Sequence, residues 1–275
     1  MAITAQDIKK LRDATGVGML DARKALTDAD GDFEKAAELL RISGQAKAAK
    51  RSDREASNGL VAAAGHTLIQ LGAETDFVAK NQEFIDLGEA IVQAVDAAGA
   101  DTLEDAQVVN LPTGETVAEA VQALSAKMGE KMELVNVAHF DGDTHVYLHR
   151  RSKDLPPQVG VLVEYAGADE DIVHHVALQI AHSNPLYVGE AEVPEDVLAN
   201  EKRLAEATAR EEGKPDKAIP RIVEGRVAGF LKDVCLQNQE PIAHDHPTVG
   251  ALLKEHGVTV SRFARFSAGP DPARR

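Results

Sequence analysis

The chain has 275 residues, of which 44% are hydrophobic and 27% are charged. That balance is typical of packed domains and argues against a globally disordered chain. The formal net charge of −15 argues against a dedicated nucleic-acid-binding protein, because such proteins usually carry a basic surface. The acidic excess is uneven: residues 1–52 hold 10 basic and 8 acidic side chains, so it lies in the remainder of the chain.

A single cysteine, Cys235, excludes an internal disulfide and indicates a reducing compartment. We expect its thiol to be buried and structural, because no catalytic signature surrounds it. The N-terminus lacks the apolar core of a signal peptide, and no stretch approaches the roughly 20 apolar residues that span a bilayer. These features predict a cytoplasmic protein without membrane contact.

Residues 1–42 predict a bundle of three short helices. Thr4 precedes the first helix and Asp7 follows three positions later, a spacing that is typical of a capping box. The second and third helices are predicted over 20–26 and 33–41, where apolar residues recur at helical spacing. The polar segment that follows, 43–58, is interpreted as an exposed, partly helical linker.

The body of the chain carries one pattern twice: two strands, a polar loop and a helix. The first copy predicts two strands, a loop and a helix over 59–65, 66–74, 75–81 and 82–95. The second copy predicts two strands and a helix over 145–151, 159–167 and 172–182. A helix and a strand are predicted between the copies, near 115–128 and 133–140. The fold class is therefore α+β, with two related subdomains, 59–141 and 142–275, in which helices cover antiparallel sheets.

The segment 194–232 predicts a protruding helical-hairpin arm, because two strongly charged helical stretches flank the turn at Gly213–Pro215. The tail predicts one more helix and then a strand with alternating apolar residues over 258–263. The last residues, 269–275, are expected to be disordered.

Sequence motifs for chemistry are largely missing. The chain has no phosphate-binding loop, dinucleotide fingerprint or nucleophile elbow. His174 and His175 are adjacent on a predicted helix and would point about 100° apart, which suits chelation poorly. His244 and His246 lie in a loop without an HExxH motif. We therefore expect no metal and no cofactor; the competing hypothesis is a metal-dependent hydrolase that uses this histidine pair and nearby acids.

Phe77 is one of only seven phenylalanines, and it lies in the polar run Glu74–Asn81 between a predicted strand and a predicted helix. Two interpretations are open. The ring could tuck into the core while Thr75 or Asp76 caps a short turn. Alternatively, the ring could stand exposed as a wedge that a rigid scaffold presents to a partner.

At these residues the sequence resembles the bacterial elongation factor Ts family. The resemblance rests on ETDFVAKN at 74–81, LRDATGVGMLDARKAL at 11–26 and GDFEKAAELLR at 31–41, and it continues through IVEGRVAGFLKDV and TVGALLKEHGV. It implies an N-terminal bundle like ubiquitin-associated domains, a core of two related subdomains, and an arm that some members use for self-association. It also implies a non-enzymatic exchange factor that binds the GTPase elongation factor Tu in its GDP-bound form and releases the GDP.

The resemblance also assigns partner-binding residues. In the exchange loop these are Thr75, Asp76, Phe77 and Val78, with Asp76 and Phe77 intruding beside the partner's nucleotide pocket and disturbing its magnesium and phosphate contacts. In the N-terminal bundle they are Leu11, Arg12, Thr15, Gly16, Val17, Gly18 and Met19. In the second subdomain the contact is His174 or His175. A third hypothesis, a scaffold that binds ubiquitin-like proteins, rests only on the small bundle.

Overall fold

The computed structural model describes residues 3–49 and 53–270. It combines helices with two antiparallel sheets of three strands each, which confirms the α+β prediction. The described chain divides into two units. The first comprises the described residues of Met1–His139, Leu148–Gly160 and Phe266–Asp271, and the second those of Phe140–Tyr147 and Val161–Arg265.

Three helices open the first unit, and they share a small apolar core. They are α1, α2 and α3, over Ala5–Thr15, Met19–Asp28 and Phe33–Ala49. The capping box is confirmed: the Thr4 hydroxyl accepts from the amide of Asp7 at 3.2 Å, and the Asp7 carboxylate accepts from the Thr4 amide at 3.0 Å. Gly16 ends α1 in the left-handed conformation, with φ of 69°, which glycine adopts without strain.

α3 runs on to Ala49, beyond the predicted end near residue 41. The added residues are mainly alanine, lysine and glutamine, which favour helix, and Gly44 lets the helix approach α7. A Cβ at Gly44 would come within 2.9 Å of the Ala126 Cβ. The first part of the predicted linker is thus helical, and residues 50–52 lie outside the described chain.

The first sheet has the order β1-β2-β3, with bounds of Asn58–Ala64, Thr67–Ala73 and Met132–His139. Its strands are antiparallel, and Leu71 of β2 faces Leu60 of β1 and Leu134 of β3. Four helices accompany it: α4, α5, α6 and α7, over Asp76–Ala79, Gln82–Ala98, Leu103–Val108 and Val117–Met128. α5 packs on β1 and β2, and its Phe84 is fully buried. Neither α4 nor α6 was predicted.

The second sheet has the order β4-β5-β6, with bounds of Thr144–His149, Val159–Ala166 and Thr259–Ser267. Helices α8 and α11, over Glu170–Ser183 and Val249–Glu255, contribute to the core of the second unit. The buried part of this core is aliphatic, as the scarcity of aromatic residues predicts. Cys235 is fully buried, as predicted, and burial raises the pKa of its thiol.

The predicted arm is a pair of helices, α9 over Glu195–Glu211 and α10 over Ile219–Val234, which lie side by side. Gly213 makes the turn between them, with φ of 70°. Small and branched side chains fill the contact, since Ala205, Ala209 and Val227 are buried. Across the described ranges, every helix is too short or too polar to cross a membrane. The expectation for the C-terminus concerns mainly residues 271–275, which lie outside the described chain.

Candidate functional site

Phe77 is 80% exposed, although the two residues that follow it are buried. It lies on α4, a single helical turn in which successive side chains point about 100° apart. Val78 and Ala79 turn into the core of the first unit, so the ring of Phe77 points to solvent. The interpretation in which this ring tucks into the core is therefore wrong, and the ring is available to a second molecule.

The short helix is capped by a threonine that a distant carboxylate holds in place. Thr75 has extended backbone angles, and its hydroxyl accepts from the Val78 amide at 3.5 Å. The Glu130 carboxylate accepts from the Thr75 amide at 3.1 Å and from its hydroxyl at 2.8 Å. Asn81 ends the loop by capping α5, because its side chain accepts from the Glu83 amide at 2.9 Å. Both ends of the turn that carries Phe77 are thus fixed.

Asp76 places a negative charge beside the exposed ring. Lys80, one turn later, donates to the Asp76 carboxylate at 2.8 Å, and this hydrogen bond holds the pKa of Asp76 below its ordinary value. The Lys80 ammonium nitrogen also lies 6.0 Å from the centroid of the Phe77 ring. The loop therefore presents an apolar ring next to a carboxylate that stays ionised at neutral pH.

The predicted contacts of the N-terminal bundle differ in exposure. Leu11 is fully buried at the centre of the bundle, so it supports the bundle and presents no surface. Partly or fully exposed positions surround the turn between α1 and α2: Arg12, Thr15, Gly16, Val17, Gly18 and Met19. Leu20, which was not predicted, is 81% exposed. The sequence indicates this exposure, because Leu20 lies off the apolar stripe formed by Ala22, Ala25 and Leu26.

His174 and His175 are both half-buried members of a row of histidine rings in the second unit. The Nδ1 atom of His174 lies 3.1 Å from the Nε2 atom of His145. The ring centroids of His175 and His244 are 4.6 Å apart. Burial lowers the pKa of His145 and, together with the neighbouring His175, that of His244. Among the described residues, no three or more potential metal ligands lie close enough together to hold a metal ion. His244 and His246 are therefore not part of such a group.

Comparison with known proteins gives the family. A sequence model described as "Elongation factor TS" matches residues 74–270. The elongation factor Ts of Cutibacterium acnes is 60% identical over 98% of this chain and 100% of its own length. Those of Saccharopolyspora erythraea and Mycolicibacterium smegmatis are each 54% identical, over 97% of this chain and 98% of their own lengths. The chain belongs to the elongation factor Ts family.

Membership confirms the resemblance read from the motifs at 11–26, 31–41 and 74–81. It places the chain among the elongation factors of protein biosynthesis and implies the general role of the elongation factor Ts family, nucleotide exchange on elongation factor Tu. The family match begins at Glu74, the first residue of the loop motif, and the relatives extend the similarity over the N-terminal bundle.

Proposed function

We propose that this chain promotes the release of GDP from elongation factor Tu by inserting the Asp76–Phe77 turn beside the partner's magnesium and phosphate site. The observation that carries the proposal is the 80% exposure of a phenylalanine ring on a turn that Thr75 caps at its start and that Asn81, the cap of α5, follows. When a partner covers a large apolar side chain that was exposed to water, the free energy of the complex is lowered. An adjacent carboxylate would attract magnesium and repel phosphate, and both effects weaken the hold on GDP.

Two further surfaces are proposed to hold the partner while the turn acts. One is the turn between α1 and α2, where Met19 is 50% exposed and Leu20 is 81% exposed. The other is the face of α8 that carries His174 and His175. Contacts at three places can stabilise a partner conformation that binds GDP weakly, which a single side chain could not hold alone. The acidic body would steer the encounter toward a basic surface on the partner.

Thermodynamic linkage makes the proposal testable from both directions. If this chain weakens GDP binding by a given factor, GDP must weaken the binding of this chain to elongation factor Tu by the same factor. The direct experiment mixes the chain with elongation factor Tu that holds a fluorescent GDP, in the presence of excess unlabelled GDP. We expect release to accelerate with the concentration of the chain. A release rate equal to that of elongation factor Tu alone would refute the proposal.

The arm is proposed as a self-association surface. An apolar groove follows α10 and is lined mainly by Pro220, Val223, Val227 and Leu231. Such a groove on a charged hairpin is a surface that a second copy of the hairpin could cover. Analytical ultracentrifugation over a range of concentrations tests this proposal. Dimers that disappear on Val223→Glu support it, and a monomer at every concentration contradicts it.

A further inference from the structure

The C-terminal end of α7 touches two of the three surfaces proposed to bind the partner. From this end, Glu130 reaches Thr75 of the exchange loop, and Lys127 reaches the turn after α1. Both contacts lie within the first unit. No motif drew attention to these residues, because their partners are remote in sequence.

The contact with the exchange loop is reciprocal. Glu130 accepts from the amide and the hydroxyl of Thr75, while Glu74 accepts from the amide of Lys131 at 2.6 Å. Two consecutive residues of the loop are thus cross-connected to two consecutive residues that follow α7. Arg54 adds an ion pair to Glu74 at 3.2 Å. Hydrogen bonds to charged groups are the stronger class, so this clamp fixes where α4 begins.

Lys127 makes the contact with the bundle. Its aliphatic stem lies against Gly16, and a larger residue at position 16 would require this flexible stem to shift. Its ammonium group pairs with Glu83, in the first turn of α5. Glycine at position 16 is favoured by the left-handed backbone there, with φ of 69°. At the preceding position of α7, Ala126 lies against Gly44 of α3.

We propose that the segment from Lys127 to Glu130, which spans the C-terminal end of α7 and the two residues after it, is a positioning element that holds the exchange loop and the α1–α2 turn in a fixed relation for the partner. The inference rests on the proposed function of those two surfaces. Glu130 and Lys127 touch no nucleotide in this scheme; they act through Thr75 and Gly16. A partner that must contact both surfaces at once binds less tightly when their relative position is not fixed. The conformational entropy of the two surfaces is then lost on binding, which makes binding less favourable.

Glu130→Gln is the sharpest perturbation, and Glu133→Gln is its matched control. The same chemical change at Glu133, on β3, removes a side-chain ion pair with Lys131 and, within the described residues, leaves the contact between Glu130 and Thr75 in place. With elongation factor Tu loaded with fluorescent GDP, we expect Glu130→Gln to lower the maximal release rate by about tenfold, the size typical of a lost charged hydrogen bond. Glu133→Gln should stay within about twofold.

A double-mutant cycle separates positioning from general damage. If Glu130 acts through the loop, Glu130→Gln should change the release rate by less than about twofold once Phe77→Ala is present. Full additivity of the two changes would overturn the proposal. Lys127→Ala should instead raise the concentration of the chain needed for half-maximal release, since the α1–α2 turn is proposed to bind rather than to act on the nucleotide. Lys127→Met, which keeps the stem over Gly16, should restore most of this loss.

A readout on the isolated protein keeps the proposal distinct from the proposed function. The chain contains no tryptophan, so Phe77→Trp introduces a single indole, which can be excited selectively, at the exposed position. Combining it with Glu130→Gln should lower the residual anisotropy of the indole on the nanosecond timescale, while combining it with Glu133→Gln should not. Unchanged anisotropy would overturn the positioning role even if exchange is intact. Wild-type protein that fails to accelerate GDP release would instead overturn the proposed function.

Discussion

Truncating Phe77 to alanine should impair exchange while leaving the fold intact. The ring is 80% exposed in the isolated chain, so its removal forfeits little burial. Exposed substitutions of this kind usually change the free energy of unfolding by less than about 0.5 kcal/mol. The caps at Thr75 and Asn81 use no atom of the ring, so α4 should persist.

The expected loss of function follows from burial in the complex. Covering a phenylalanine side chain contributes about 1.5–3 kcal/mol. At about 1.4 kcal/mol for each factor of ten, Phe77→Ala should slow stimulated GDP release by roughly 10- to 100-fold. A loss beyond that range would mean that the turn as a whole, including the Asp76 carboxylate, fails when the ring is absent.

Stopped-flow fluorescence measures the release directly, from elongation factor Tu loaded with a fluorescent GDP. The matched control is Val108→Ala, because Val108 is 68% exposed at the end of α6, outside every surface proposed to bind the partner. Thermal unfolding of both variants checks that each is folded. If folded Phe77→Ala stimulates GDP release as fast as wild type and Val108→Ala do, the exposed ring does not drive exchange and the proposed role of Phe77 is refuted.

Three further predictions concern stability. Glu164 accepts from Arg262, which lowers its pKa from 4.5 to about 2; Glu164→Gln should therefore cost about 1–2 kcal/mol at pH 7 by urea unfolding, discounted for the half-exposed arginine. That cost should shrink as the pH falls from 4.5 toward 2, because wild type then loses the same interaction. Burial and the His175 ring lower the pKa of His244, so wild-type stability should fall as the pH drops below about 6.5, and His244→Phe should reduce this fall. Thr4→Ala should lower the free energy of unfolding by about 1 kcal/mol, because it removes the cap of α1.

Each of these predictions would be contradicted by a specific result. For Glu164→Gln it is a stability difference that stays constant between pH 7 and pH 3. For His244→Phe it is a pH dependence equal to that of His182→Gln, which changes an exposed histidine on α8. For Thr4→Ala it is unchanged hydrogen-exchange protection in α1, whose opening the cap opposes.

Local patterns predicted the elements that local forces determine. The capping box at Thr4 involves residues only three positions apart, and it was predicted correctly. The strands of the first sheet were predicted to within two residues, since their apolar content matches their burial. The arm was likewise evident from two helical segments and a glycine turn. The candidate site came from the family motifs, because periodicity alone does not indicate it.

Tertiary contacts decided what the patterns left open. α4 has four residues, too few to show a period, and its cap depends on Glu130, which is 55 positions from Thr75. The direction of the Phe77 ring could not be read from its neighbours for that reason. The row of histidines is another example, since His145, His175 and His244 come from three separate elements. Leu11 shows the opposite case, in which a residue of a contact motif is needed inside the bundle.

The clamp on α4 explains how an exposed aromatic ring can be useful to an exchange factor. A ring on a flexible loop would pack onto nearby apolar surface or lose conformational freedom on binding. Either effect reduces the binding free energy that can be used to displace GDP. Here the Glu130–Thr75 hydrogen bonds and the Asn81 cap order the turn during folding. Under the proposed function, the burial of Phe77 in elongation factor Tu would then stabilise the open nucleotide site. It follows that weakening the clamp should reduce exchange through the same ring, which is why the effects of Glu130→Gln and Phe77→Ala should not add.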